Sequence, residues 1–189
     1  KNVSVFLISN DSDENIMQLK LKFIYFDDPR FEKLFKRLYV FNTSKQFNLI
    51  KNKLKIITNP IYKDLRLKHS IPDFNIDAIK NKSLLLEMRF DQLNGISWDK
   101  GCYMGQEITA RMKYRNIVKK KLFKIKIFFE GKIDTDVKFN NKVIGNITSH
   151  NKIHGFAYIN LKFLDEFFDK ELISGNSIIK LEKLWWSQD

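Results

Sequence analysis

The sequence predicts an α+β protein in which a mixed sheet-and-helix part, residues 1–115, precedes a small antiparallel β-structure, residues 116–189. Alternating apolar residues over 19–26 and 121–129 are typical of half-buried strands. Apolar residues at helical spacing occur in the first part. Short strands joined by glycine-containing turns follow Lys119, and this pattern is typical of a small barrel or sandwich.

The first part begins with a buried strand predicted over residues 3–8, and the strand over 19–26 follows it. Asp27-Asp28-Pro29 ends the second strand, because proline cannot continue a sheet ladder and aspartate favours turns. Residues 30–41 fit either a short helix or a loop that leads into a strand near 38–41. The predicted helices of this part cover 61–69, 84–93 and 106–113.

The second part contains mostly strands. Besides 121–129, the predicted strands cover 142–148, 155–161 and 177–181. Composition supports a packed core, since 43% of the 189 residues are hydrophobic and 14% are aromatic. No run of eighteen apolar residues occurs, so we expect no membrane span.

Cysteine occurs once, at Cys102, which excludes an internal disulfide and a multi-cysteine metal site within one chain. We therefore expect a reducing compartment, the cytoplasm or the mitochondrial matrix. The three histidines lack metal-ligand spacing, so no stably bound metal is expected. The formal net charge of +12 suits a nucleic-acid partner, but its excess of lysine beside abundant asparagine also fits a coding bias towards AT-rich codons.

The stretch KGCYMGQEITAR, residues 100–111, places the single cysteine in a glycine-bracketed turn just before a predicted helix. A helix N-terminus and a nearby Lys100 both favour the thiolate form of Cys102. A small buried cysteine with a packing role is the alternative. Glu107 fits a general base or a residue that favours the helix dipole, and an ion pair with Arg111 four residues later explains both side chains simply.

The same stretch resembles the signature of the YgfZ family, K-G-C-Y/F-x-G-Q-E followed by A-R. The matching residues are Lys100, Gly101, Cys102, Tyr103, Gly105, Gln106, Glu107, Ala110 and Arg111. Flanking segments also resemble the family: Asp28-Pro29-Arg30, Ile71-Pro72, Glu87 with Asp91, Asn94-Gly95-Ile96, Ile144-Gly145, Thr148-Ser149 and Gly155-Phe156-Ala157. Ser70 stands where the family usually has glycine before Ile71-Pro72.

Members of this family are folate-binding proteins that help to assemble or repair iron–sulfur clusters, and they are relatives of the glycine-cleavage T-protein, an aminomethyltransferase. The resemblance implies a partial T-protein-like domain over 1–115, a C-terminal β-barrel over 116–189, and tetrahydrofolate as cofactor. It also implies that the family's N-terminal part, which carries much of the folate-facing surface, is absent from these residues. The cofactor contacts are therefore not assigned to residues here.

The implied partners are iron–sulfur assembly proteins and client enzymes, among them methylthiotransferases that modify tRNA, without membrane contact and with direct tRNA binding left open. Cys102 is expected to carry thiol chemistry or to ligate a cluster transiently, assisted by Lys100. Two other functions stay open: a folate-dependent aminomethyl or one-carbon transferase, and a basic nucleic-acid-binding module. We expect a non-catalytic maintenance factor ahead of either.

Overall fold

The computed structural model describes residues 3–10, 16–17, 23–31, 34–41, 50, 52–128 and 131–187, with the backbone alone at Phe163. The chain divides into two compact units, Lys1–His69 and Ser70–Asp189. The predicted boundary near residue 116 lies inside the second unit, shortly before the first barrel strand. The division into 1–115 and 116–189 stays a prediction.

The first unit is built on a three-stranded antiparallel sheet in the order β1-β3-β2. Its strands are β1 (Val3–Ser9), β2 (Phe23–Asp27) and β3 (Phe35–Phe41). Because side chains alternate across a strand, one face of β1 and β3 supplies a core. That core contains the buried residues Phe6, Ile8, Ile16, Leu38, Val40, Ile50 and Leu54.

Several predictions for this unit are confirmed. The strands at 3–8 and at the described end of 19–26 are present, and β2 stops at Asp27 before a short 3-10 helix, Pro29–Phe31. The remaining residues of 19–26 lie outside the described ones. For 30–41 the strand interpretation is correct, although β3 begins at Phe35. The helix predicted over 61–69 is α1, which begins two residues earlier, Asn59–Lys68.

The second unit opens with a short helix, α2 (Phe74–Asp77), and reaches the longer helix α3 (Gln106–Tyr114) through a segment of turns. The prediction of a helix over 84–93 is wrong, because this segment forms successive turns. Arg89 has a φ of +61°, which no right-handed helix accommodates. Its buried side chain instead donates from Nε to the carbonyl oxygen of Leu122 over 2.6 Å.

The rest of the second unit is a closed, six-stranded antiparallel barrel in the order β4-β7-β6-β5-β8-β9. Its strands are β4 (Lys120–Ile127), β5 (Asp136–Phe139), β6 (Lys142–His150), β7 (His154–Asn160), β8 (Leu172–Ser174) and β9 (Ser177–Glu182). A 3-10 turn, Leu161–Phe163, and a short helix α4, Leu164–Phe167, connect β7 to β8. The α+β fold and the barrel are confirmed, whereas β5 and β8 were not predicted.

Candidate functional site

The turn that carries the cysteine motif is held by two hydrogen bonds between Tyr103 and Gln106. The backbone N–H of Gln106 donates to the carbonyl oxygen of Tyr103, and the Gln106 Oε1 atom accepts from the Tyr103 N–H, each over 3.1 Å. Gly105 has φ +86° and ψ −1°, values of the second central position of a type II turn. Glycine is favoured there because a side chain strains a left-handed backbone. The spacing Y-x-G-Q is therefore explained by local geometry.

Helix α3 starts directly after this turn, as predicted for 106–113. Thr109 and Met112 are buried and anchor the helix, and the Thr109 hydroxyl donates to the carbonyl oxygen of Gly105 over 3.4 Å. The left-handed residue Asn116 follows the helix, with φ +48°. The helix is thus fastened along one face, where Gln106 and Ala110 are half-buried, and its other residues are open to solvent.

Cys102 is exposed, so the structure does not place it in a packed core. Its neighbour Gly101 is also exposed, and a methyl group added at Gly101 would meet no atom within 4 Å. The ammonium group of Lys100 lies 4.3 Å from the centre of the Tyr103 ring, a cation–π contact. The thiol therefore lies at an open position directly before a hydrogen-bonded turn, two residues after Lys100.

The predicted ion pair between Glu107 and Arg111 is present, with Arg111 Nη2 donating to Glu107 Oε1. Both side chains are largely exposed. Large apolar side chains lie open nearby: Met104 is fully exposed, Ile108 is 58% exposed and Tyr114 is 76% exposed. Single exposed apolar side chains are common on protein surfaces, so none of the three identifies a binding surface by itself.

Glu87 is a site residue that the sequence indicated only as part of a segment flanking the motif. Its side chain is buried, and its Oε2 atom has no hydrogen-bond partner among the described residues. Lys120 Nζ lies 3.6 Å from that oxygen, which is an ion-pair distance beyond a normal hydrogen bond. Burial raises the pKa of neighbouring Tyr158 to about 12, the charges of Glu87 and Asp77 act in the same direction, and a hydrogen bond to Ser83 acts against them. The only feature of the sequence that could have identified Glu87 as a site residue is the position of its carboxylate inside an apolar run.

Within the described part of the chain, no three histidine, cysteine, aspartate or glutamate side chains come close enough together to hold a metal ion. No helix in those ranges has the length and apolar composition needed to cross a bilayer. The nine motif residues that the sequence identified all lie in the stretch 100–111, and the structure places them at the turn and in the first part of α3.

Comparison with curated proteins finds mitochondrial iron–sulfur cluster assembly factors of the IBA57 type. The chain is 35% identical to the Neurospora crassa homologue over 104 residues, which are 55% of this chain and 23% of that protein. It is 38% identical to the mouse protein over 66 residues, 35% of this chain and 18% of that protein. The Dictyostelium discoideum homologue matches at 35% over 101 residues, 52% of this chain and 24% of that protein. The YgfZ-type resemblance is confirmed.

The structural comparison agrees with the fold that this resemblance implies. The aminomethyltransferase T of the glycine cleavage system from Bartonella henselae superimposes with a TM-score of 0.67, covering 88% of this chain and 50% of that one. The sequence identity is 10%, so this likeness shows a T-protein-like fold alone. No family model matches the chain. The matched region spans about a quarter or less of each curated relative.

Proposed function

We propose that the chain is part of an iron–sulfur cluster assembly or repair factor in which Cys102 is the chemically active group. The observation that carries the proposal is the exposure of this single thiol beside a turn that Gly105 and Gln106 hold rigid. A packing role needs burial, and this cysteine is exposed. The names of the related assembly factors support the same activity.

In this function Cys102 ligates a cluster transiently or exchanges with another thiol. Iron–sulfur clusters usually take about four thiolate ligands, so the other ligands come from a partner protein or a small thiol. The open space at Gly101 leaves room for that partner to approach the thiol closely. Lys100 supplies positive charge for an anionic cluster, while Tyr103, Gly105 and Gln106 fix the turn. Glu107 and Arg111 present a polar edge on the exposed surface of α3.

Tetrahydrofolate is the cofactor that the resemblance implies, and the buried carboxylate of Glu87 fits it. The unbonded Oε2 atom is suited to accept the N–H groups of a pterin ring, because a buried acceptor gains most from a donor that satisfies it. Bound folate carries one-carbon groups. In a maintenance factor, the contribution of this chain is to hold the ring, with Lys120 balancing the charge of Glu87.

The finer assignments follow from the same proposal. The partners are iron–sulfur assembly proteins, and the clients are cluster-containing enzymes, including methylthiotransferases that modify tRNA. The related assembly factors are named as mitochondrial, so we propose the mitochondrial matrix where the source cell is eukaryotic and the cytoplasm otherwise.

Complementation tests the proposal. Cells that lack their own family member receive the full-length protein, either intact or with Cys102→Ala, and the activity of a [4Fe–4S] enzyme is measured against the amount of folded factor. We expect the alanine variant to accumulate normally, because the residue is exposed. If the thiol is a cluster ligand, the enzyme activity that this variant restores should be lower than that restored by the intact protein by about tenfold or more. Cys102→Ser separates loss of the thiol from loss of side-chain volume.

Met104→Ala is the matched control, since Met104 is two residues away and is also exposed to solvent but is not a fixed residue of the motif. Full restoration by Cys102→Ala would show that the thiol has no chemical role. Restoration that depends on added folate and accompanies one-carbon transfer by the purified protein would instead indicate an aminomethyltransferase.

A further inference from the structure

A cavity of about 540 Å³ opens in the first compact unit, a volume typical of sites for small molecules. Strand β1 contributes Val5 and Leu7 to its wall, and the approach to α1 contributes residues 56–58. Arg30 and Arg37 line it as well. No aspartate or glutamate is among the described residues that line it.

The two arginines share one carboxylate, that of the fully buried Asp28. Arg30 donates from Nε to the Oδ1 atom over 2.9 Å and from Nη2 to the Oδ2 atom over 2.7 Å. Arg37 Nη2 donates to the same Oδ2 atom over 2.9 Å. Burial by itself raises the pKa of Asp28, but the hydrogen bond and the charge of Arg30, together with the charge of Arg37, outweigh it and hold that pKa below its usual range. Two guanidinium charges against one carboxylate leave about one positive charge at the cavity wall.

That positive charge is still accessible from the cavity. The Arg30 and Arg37 side chains are 32% and 26% exposed, so neither is sealed into the core. A guanidinium group has five N–H donors, and the carboxylate of Asp28 engages only some of them. Arg37 Nη1 donates to the hydroxyl oxygen of Tyr39 over 3.2 Å, and this bond fixes the orientation of the guanidinium group. The wall therefore presents oriented donors with a net positive charge.

The N-terminus of α1 reaches the same cavity through Thr58 and Asn59. Thr58 occupies the N-cap position, but its side chain makes no capping hydrogen bond, and the first turn contains no acidic residue. Pro60 lies in this first turn and has no N–H, so the turn offers fewer donors than most helices do. Its other first N–H groups have no partner within the helix, and they add positive potential at this end. The remaining wall is mostly apolar, with Val5, Leu7 and Ile57, and Tyr62 adds a hydroxyl group that hydrogen-bonds with Arg30.

We propose that this cavity binds a small organic anion, a carboxylate or phosphate ester on an apolar or aromatic body, whose acidic group contacts Arg37, Arg30 and the first turn of α1. The proposal does not depend on the iron–sulfur function. The competing interpretation is that the second arginine only offsets the burial of Asp28. In that case the cavity binds anions no more tightly than other cationic side chains on the surface do.

Calorimetric titration of the 189-residue chain with four probes distinguishes these interpretations. Phenyl phosphate and benzoate carry the two acidic groups on one ring, benzamide keeps the ring without the charge, and inorganic phosphate lacks the organic body. We expect phenyl phosphate or benzoate to bind, with benzamide silent and inorganic phosphate weaker. Binding by neither organic anion would overturn the proposal, and inorganic phosphate binding as tightly as phenyl phosphate would overturn the part that concerns the apolar body.

Two variants locate the binding. Arg37→Gln removes one guanidinium and leaves Arg30 to neutralise Asp28. Thr58→Asp places a carboxylate at the start of α1, where aspartate is a favourable N-cap, so the fold is retained while anions are repelled. We expect each to weaken binding at least about tenfold, whereas Lys180→Gln, an ion-paired cation on the barrel, leaves it unchanged. Equal affinity in all three variants would assign the binding to non-specific surface charge and reject the site.

Discussion

Two sets of charged side chains in this chain use the same chemical groups in opposite surroundings. Asp28, with Arg30 and Arg37, has a carboxylate with no exposed surface, and each of its oxygens accepts a hydrogen bond. Glu107 with Arg111 is 80% and 53% exposed on the surface of α3. Water reaches the carboxylate of the second pair but not that of the first, so burial, more than the identity of the partners, decides what each carboxylate contributes to stability.

Removal of the buried carboxylate is the strongest way to test this comparison. Asp28→Ala leaves Arg30 and Arg37 facing each other without a counter-charge. We expect the free energy of unfolding of the first unit to fall by about 3 kcal/mol, since breaking a buried pair from one side costs several kcal/mol and the partly exposed arginines recover some hydration. Hydrogen exchange of the β3 amides measures this change locally.

Asp27→Ala is the control, because Asp27 is the neighbouring residue and also forms an ion pair, with Lys36 at 2.6 Å, but is 43% exposed. We expect a loss below about 1 kcal/mol there. Equal losses at the two positions would show that burial does not separate the two kinds of carboxylate.

Acid titration sharpens the same contrast. The pKa of Asp28 is held low in the folded chain, so its ionised form stabilises the fold above the pKa of an unfolded aspartate, about 3.9. This contribution is lost as the pH falls through that value towards the folded pKa. We expect the stability difference between the intact chain and Asp28→Asn to be constant near pH 7 and to shrink below about pH 4. A difference that grows on acidification would reverse the assigned sign.

The sequence predicts those parts of the fold and site that depend on nearby residues. The helix at 106–113, the pairing of Glu107 with Arg111 and the turn before α3 follow from spacing along the chain. The helix predicted over 84–93 does not form, although the apolar residues of this segment have helical spacing, because Arg89 reaches a carbonyl group thirty-three positions away. That contact exists only once the barrel strand β4 is formed, so no local pattern contains it.

The cavity in the first unit could not be predicted for the same reason. Asp28-Pro29-Arg30 is visible in the sequence as a turn, but Arg37 joins it only because β2 and β3 pair with Asp27 opposite Lys36. Likewise, β5 and β8 are short strands whose place is fixed by barrel closure more than by their own pattern. Long-range pairing creates both features.

The smallest expected effect belongs to the exposed pair. Glu107→Ala removes a helical ion pair and a favourable charge in the first turn of α3, and we expect a loss of about 0.5 kcal/mol in the free energy of unfolding. A double-mutant cycle with Arg111→Ala isolates the coupling, which should fall further in high salt because exposed charges are screened. A coupling above about 1.5 kcal/mol would show that exposure does not weaken this pair. Because the stability cost is small, failure of Glu107→Ala in the complementation assay cannot be explained by unfolding and would assign this carboxylate to partner or cluster contact.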